Sequence, residues 1–91
     1  MTKNPKNIFV PDAVLDLQRL SMKQATAKLK NLRSSYKKGT KVRILIGKGG
    51  YGSAPPEIPT LTKKFLTNEG YAWSYAKPVD GGDGALDCII E

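Results

Sequence analysis

The sequence predicts an α/β domain: a two-layer sandwich in which two helices cover a four-stranded mixed sheet, in the order β-α-β-α-β-β. Three observations predict it. Short apolar runs recur at 12–17, 42–46, 71–76 and 85–90. Two stretches with helical spacing separate the first three runs, and glycine or proline punctuates the joins. The chain has 91 residues, enough for one domain with a modest core.

Each element has its own reason. Residues 1–11 are polar, carry Pro5 and Pro11 and show no periodicity, so they read as a flexible tail before a domain at 12–91. DAVLDL, 12–17, is the first strand. Ser21 and Gln24 then form an S-x-x-Q capping box that opens a helix. Met22, Ala25, Leu29, Leu32 and Tyr36 follow at steps of three and four along one face, and Gly39 is the expected stop. Lys23, Lys30, Arg33 and Lys37 fall within an arc of roughly 80° beside that face. VRILI, 42–46, is the second strand. The prolines of SAPPEIP bias their predecessors away from helix, so the second helix is expected near Pro59, with Ile58, Leu61 and Phe65 inward and Gly70 at its end. YAWSYA, 71–76, is the third strand. Its Tyr71, Trp73 and Tyr75 share a face and read as sheet core rather than as a base-stacking platform. PVDGGDG turns the chain into the last strand, ALDCII at 85–90, where Cys88 is expected in the core.

Composition narrows the chemistry. The chain has no histidine, which excludes Ser-His or Cys-His nucleophile activation and the usual zinc sites. A single cysteine excludes an internal disulfide and suits a reducing cytoplasm. No apolar run approaches membrane-span length, so a membrane partner is not expected. The net charge is +7, and its distribution says more than its total. From Leu17 to Pro56 there are ten lysines and arginines and no Asp or Glu. A solvated face ordinarily mixes signs, so this stretch points to a polyanionic partner.

The run RILIGKGGYGS, 43–53, matches G-x-G-x-x-G at Gly47, Gly49 and Gly52. The match does not make a dinucleotide site. Such a loop follows the first strand of its fold and opens directly into a helix. Here it follows the second strand and runs into Ser-Ala-Pro-Pro. No Gly-Lys-Ser/Thr follows a four-residue spacer either, so a P-loop is excluded and no nucleotide cofactor is expected. The alternative is a loop whose amides and Lys48 contact a phosphate.

AVLDLQRLSMKQA, then RILIGKG some 25 residues on, then GGDGAL near the end, resemble the small MutS-related (Smr) domain family. That family opens on Leu-Asp-Leu-His-Gly-Leu and ends its second strand in His-Gly-x-Gly or Thr-Gly-x-Gly. A late Gly-Gly-x-Gly-Ala precedes its last strand. The resemblance covers about Asp12 to Glu91. It implies a sandwich like the C-terminal domain of bacterial translation initiation factor three. It also implies nucleic-acid binding, DNA-nicking or RNA-cleaving activity in several members, and action on ribosomes in some.

Carried over residue by residue, the resemblance is partial. Asp16 keeps the motif acid. Gln18 stands where the family has His, Arg19 where it has Gly, and Ile46 where it has His or Thr. Gly47, Lys48 and Gly49 keep the loop, and Gly81, Gly82, Gly84 and Ala85 keep the third motif. Glutamine hydrogen-bonds a phosphate but does not titrate near neutral pH. The expectation is therefore a monomeric domain that holds the backbone of DNA or RNA, ribosome-associated in some settings. Arg19, Lys48, Gly47 and Gly49 would make phosphate contacts, flanked by Lys23, Lys30, Arg33 and Lys37, with Tyr51 as the stacking residue of the loop. Gln18, Gly81, Gly82 and Gly84 would line the site. Two alternatives stand beside it. One is an endonuclease using Asp16, for which a divalent metal held with Asp80 and Asp83 is the only cofactor expected. The other is an interaction domain for an acidic protein.

Overall fold

The computed structural model describes residues 9–47, 57–78 and 82–91. The chain runs β1 (Ala13–Asp16), α1 (Met22–Lys30), α2 (Leu32–Ser35), β2 (Lys41–Leu45), α3 (Glu57–Asn68), β3 (Trp73–Tyr75) and β4 (Ala85–Ile89), with a 3₁₀ turn at Gly82–Gly84 leading into β4. The strands form one sheet in the order β1-β2-β4-β3. β1 is parallel to β2, and β4 is antiparallel to both β2 and β3. The sheet is therefore mixed, as the sequence predicts, and its last strand lies in the interior, between β2 and β3.

One face of the sheet holds the core. Cross-strand register places Ala13 beside Val42 and Leu15 beside Ile44, then Val42 beside Cys88 and Ile44 beside Leu86. These rows pack with Ala25 and Leu29 of α1, Leu32 of α2, and Ile58 and Leu66 of α3. The alternating β2 pattern buries Val42 and Ile44 completely and leaves Lys41 exposed. Thr62 is fully buried in α3 without penalty, because its hydroxyl donates to the Ile58 carbonyl at 2.8 Å.

The first predicted helix is two. Its start is as expected: Gln24 N donates to Ser21 Oγ at 3.1 Å, and Ser21 N donates to Gln24 Oε1 at 2.9 Å. The break falls at Asn31, which has φ −94 and ψ 8 and whose N–H reaches back to Lys28 O at 3.2 Å. Asparagine is a poor residue for a helix interior, although its side chain makes no cap bond to α2 here. α2 then ends at Tyr36, which is extended at φ −131 and ψ 138. Lys37 therefore lies outside both helices, and the four-residue basic arc does not persist along one rod. Gly39 takes φ 90 and turns the chain into β2, where its N–H meets Ile90 O at 2.8 Å.

α3 begins at Glu57, two residues before the expected start. Pro59 falls in its first turn, where a missing N–H costs nothing. Gly70, at φ 83, closes the helix, and Tyr71 N donates to Leu66 O at 2.9 Å across it.

The aromatic strand divides its residues. Tyr71 is 5% exposed and packs in the core, as expected. Trp73 packs against the core part-buried, and Tyr75 is 47% exposed, against the core expectation. β3 is an edge strand, so the far end of its helix-facing side is covered only in part.

Cys88 is 1% exposed, and burial pushes its thiol from the ordinary 9.0 up to about 11, with Asp87 adding to the rise. A folded-state value above the unfolded one contributes stability that is complete below pH 9 and is lost as pH climbs through about 11. Across that window the domain should lose roughly 2–3 kcal/mol. A Cys88→Val variant should lack that part of the alkaline decline in urea titrations. The Tyr71 phenol, raised chiefly by burial, will still contribute a decline in both proteins. An identical alkaline slope in wild type and variant would refute the assignment.

The opposite face carries a row formed by Val14, Arg43, Asp87 and Ser74 across the four strands. Arg43 and Asp87 make a forked ion pair, Nε to Oδ1 at 2.7 Å and Nη2 to Oδ2 at 3.1 Å. Their side chains are 12% and 7% exposed. Phe9, from the stretch expected as tail, stands over this pair. Its carbonyl accepts from Arg43 Nη2 at 3.5 Å, and its ring centroid is 5.7 Å from the guanidinium.

Candidate nucleic-acid interface

Parallel pairing of β1 and β2 brings their carboxyl ends to one edge of the sheet, and antiparallel β4 begins there. Asp16 is in register with Leu45, and Leu45 with Ala85. The pairing continues past the strands. Leu17 N donates to Leu45 O at 2.9 Å, and Ile46 N and Gly47 N both donate to Gly84 O, at 2.9 and 3.1 Å. Ala76 N donates to Ala85 O at 3.0 Å, and Gly82 N to Lys77 O at 2.9 Å. Thus Asp16–Arg19, Gly47 and Gly82–Gly84, far apart in sequence, meet at one edge.

Local chemistry explains each placement. Asp16 ends β1 with Oδ1 accepting the Gln18 N–H at 2.9 Å, a side-chain turn that aspartate makes readily. Leu17 closes the same turn from inside the core, accepting from Leu20 N at 3.2 Å. Gln18 is half-buried and Arg19 exposed, so the charged group of this turn stands outward. Gly47 adopts φ 73 and Gly82 φ 56, backbone states that a side chain strains. No Cβ contact would arise at Gly82, so conformation rather than space selects glycine there. The Gly47 N–H is already bonded to Gly84 O, so Gly47 supplies the turn and not a free donor.

The basic residues do not all gather at this edge. Lys23 lies in the first turn of α1, next to it, and Lys30 in the last, about 10.5 Å further along the axis. Both line an open depression of about 480 Å³ with Met22, Thr26 and Ala27. Arg33 instead serves α3: it bonds Glu69 Oε1 at 3.2 Å and Glu69 O at 3.1 Å, and lies 4.7 Å from the Tyr71 ring centroid. Lys37 sits at the far end of β2, its carbonyl accepting from Thr40 N and Thr40 Oγ1 at 3.1 and 2.6 Å. Lys48, Gly49, Tyr51, Gly81 and Asp80 lie outside the described residues, as does the Asp83 side chain. Among the described residues no three His, Cys, Asp or Glu side chains group as metal ligands.

Two neighbours of the edge were not singled out from the sequence. Lys77 holds Gly82 through its carbonyl, and its side chain is exposed. Lys63 of α3 donates to the Tyr75 hydroxyl at 2.9 Å. A lysine directly after a strand of alternating aromatics was a legible signal for the first. Nothing in the spacing announces the second.

The arrangement can place cations and a carboxylate along one sheet edge. With no imidazole in the chain, Asp16 is the acid that the β1 turn brings to that edge. The fold defines the chain as a two-layer α/β sandwich with a mixed four-stranded sheet. No protein-family model, curated protein or solved structure matches it. Among the described residues no helix is long and apolar enough to cross a membrane.

Proposed function

We propose that this domain binds nucleic acid by its phosphate backbone and holds it rather than cuts it. The observation that carries the reading is the placement of Arg19 and Lys23 at the edge where the two glycine segments meet, within a stretch of ten cations and no anion. Two of those ten, Arg33 and Arg43, are engaged by Glu69 and Asp87 and are not counted toward it. Glutamine at 18 favours holding, since its amide donates to an oxyanion without exchanging a proton. Cleavage through Asp16 is the alternative. Its carboxylate already has a structural task in the turn to Gln18, which weakens that case.

Fluorescence anisotropy with labelled RNA and DNA tests the proposal. Binding should appear at low salt. With about four phosphates neutralised, the log–log salt slope should lie near −3 to −4 and affinity should fall roughly a hundredfold between 50 and 200 mM salt. Reversing Lys23 and Lys30 to Glu should weaken binding to every sequence alike, because backbone contacts carry no sequence information. No binding to either polymer at low salt would sink the reading. Strand cleavage that Asp16→Asn abolishes would replace it with the nuclease alternative.

A further inference from the structure

We infer that Tyr75 is a stacking surface for one unpaired base, with Lys63 beside it for the adjoining phosphate, so that the domain prefers single-stranded nucleic acid. This rests on the backbone-binding reading above. Tyr75 ends β3 in register with Leu86, one row from the Leu45–Ala85 row at which the edge begins. It therefore lies near the same edge as the end of β1, from which the turn carrying Arg19 leaves, and β1 and β3 are three strand spacings apart, roughly 14 Å.

The ring is both open and held. It is 47% exposed, whereas Tyr71 at the other end of the same segment is 5% exposed. Lys63 Nζ donates to its oxygen at 2.9 Å and lies 5.3 Å from the ring centroid. Trp73 packs at right angles, 5.6 Å between centroids and 84° between planes. Trp73 is itself tied to α3, its Nε1 donating to Thr67 Oγ1 at 3.0 Å. A ring fixed in this way loses little freedom when it meets a partner. Because its oxygen accepts from Lys63, the phenol O–H is left to donate, and the ammonium keeps two further N–H groups. One nucleotide unit, base on ring and phosphate on ammonium and hydroxyl, matches that set.

The chemistry selects the strandedness. A base inside a duplex has both faces covered by its neighbours, so only an unpaired base can take the ring. Aromatic stacking is also tolerant of sequence, in keeping with backbone-directed binding.

The test compares a labelled oligouridylate with a blunt duplex, against wild type, Tyr75→Ala and Tyr75→Phe, with circular dichroism to verify folding. For Tyr75→Ala, single-strand affinity should fall about 5- to 150-fold while duplex affinity changes less than about twofold. Tyr75→Phe keeps the ring and should retain single-strand affinity within a few-fold. Wild type that binds both probes, with Tyr75→Ala leaving single-strand binding intact or weakening both equally, overturns this inference and leaves the backbone reading standing. Wild type that binds neither overturns the backbone reading itself.

Discussion

Replacing Arg43 by Met will destabilise the domain by about 3–5 kcal/mol in urea unfolding. The cost comes from the partner left behind. Asp87 is 7% exposed, and its two oxygens receive Arg43 Nε and Nη2 at 2.7 and 3.1 Å. With the guanidinium gone, a carboxylate remains in a site without water enough to solvate it. Phe9 also loses its hydrogen-bond donor and the cation near its ring. A domain of this size is stable by roughly 5–14 kcal/mol in all, so the single change removes a large fraction. The double variant Arg43→Met/Asp87→Leu separates charge from packing. It should recover most of the loss, because an apolar pair of similar volume often equals a buried ion pair. A single variant that loses less than about 1 kcal/mol would show that the pair is hydrated and its geometry incidental.

Leu86→Ala should cost about 2–5 kcal/mol. Leu86 is fully buried in the interior strand, in register with Ile44 on one side and Tyr75 on the other. Both neighbours are held by strand ladders, so the cavity has little freedom to collapse, which puts the cost toward the upper end. Val14→Thr, one row away on the open face at 55% exposure, should change stability by no more than about 0.5 kcal/mol. Similar losses at the two positions would mean that the faces of the sheet are wrongly assigned.

The succession of strands and helices along the chain, the capping box at Ser21 and the helix stop at Gly70 were legible because each is written in neighbouring residues. The break at Asn31 was not: a helical apolar pattern runs through it, and the weak preference of one asparagine does not stand out against that pattern. Arg43 shows a different limit. Counted by sequence it was one more cation of a basic stretch. Its partner lies 44 positions away, on a strand whose neighbour only the fold reveals. The meeting of Asp16–Arg19, Gly47 and Gly82–Gly84 followed from topology alone. The escape of Tyr75 from the core did not, since alternation marks a face but not how far along that face the helices reach.

The position of β4 has a consequence for synthesis. Its residues, 85–89, pair on one side with β2, made far earlier in the chain, and β3 makes its sheet contacts only through it. A nascent chain can form the β1-α1-β2 unit as it emerges, but β2 then presents an unpaired apolar edge until the last strand leaves the ribosome. Joining 41–45 to 85–89 also requires closing a loop of some forty residues, which places this step late and makes it slow relative to helix formation. During that interval the half-built sheet is the species most exposed to misassociation, and a holdase would have its best chance to engage it.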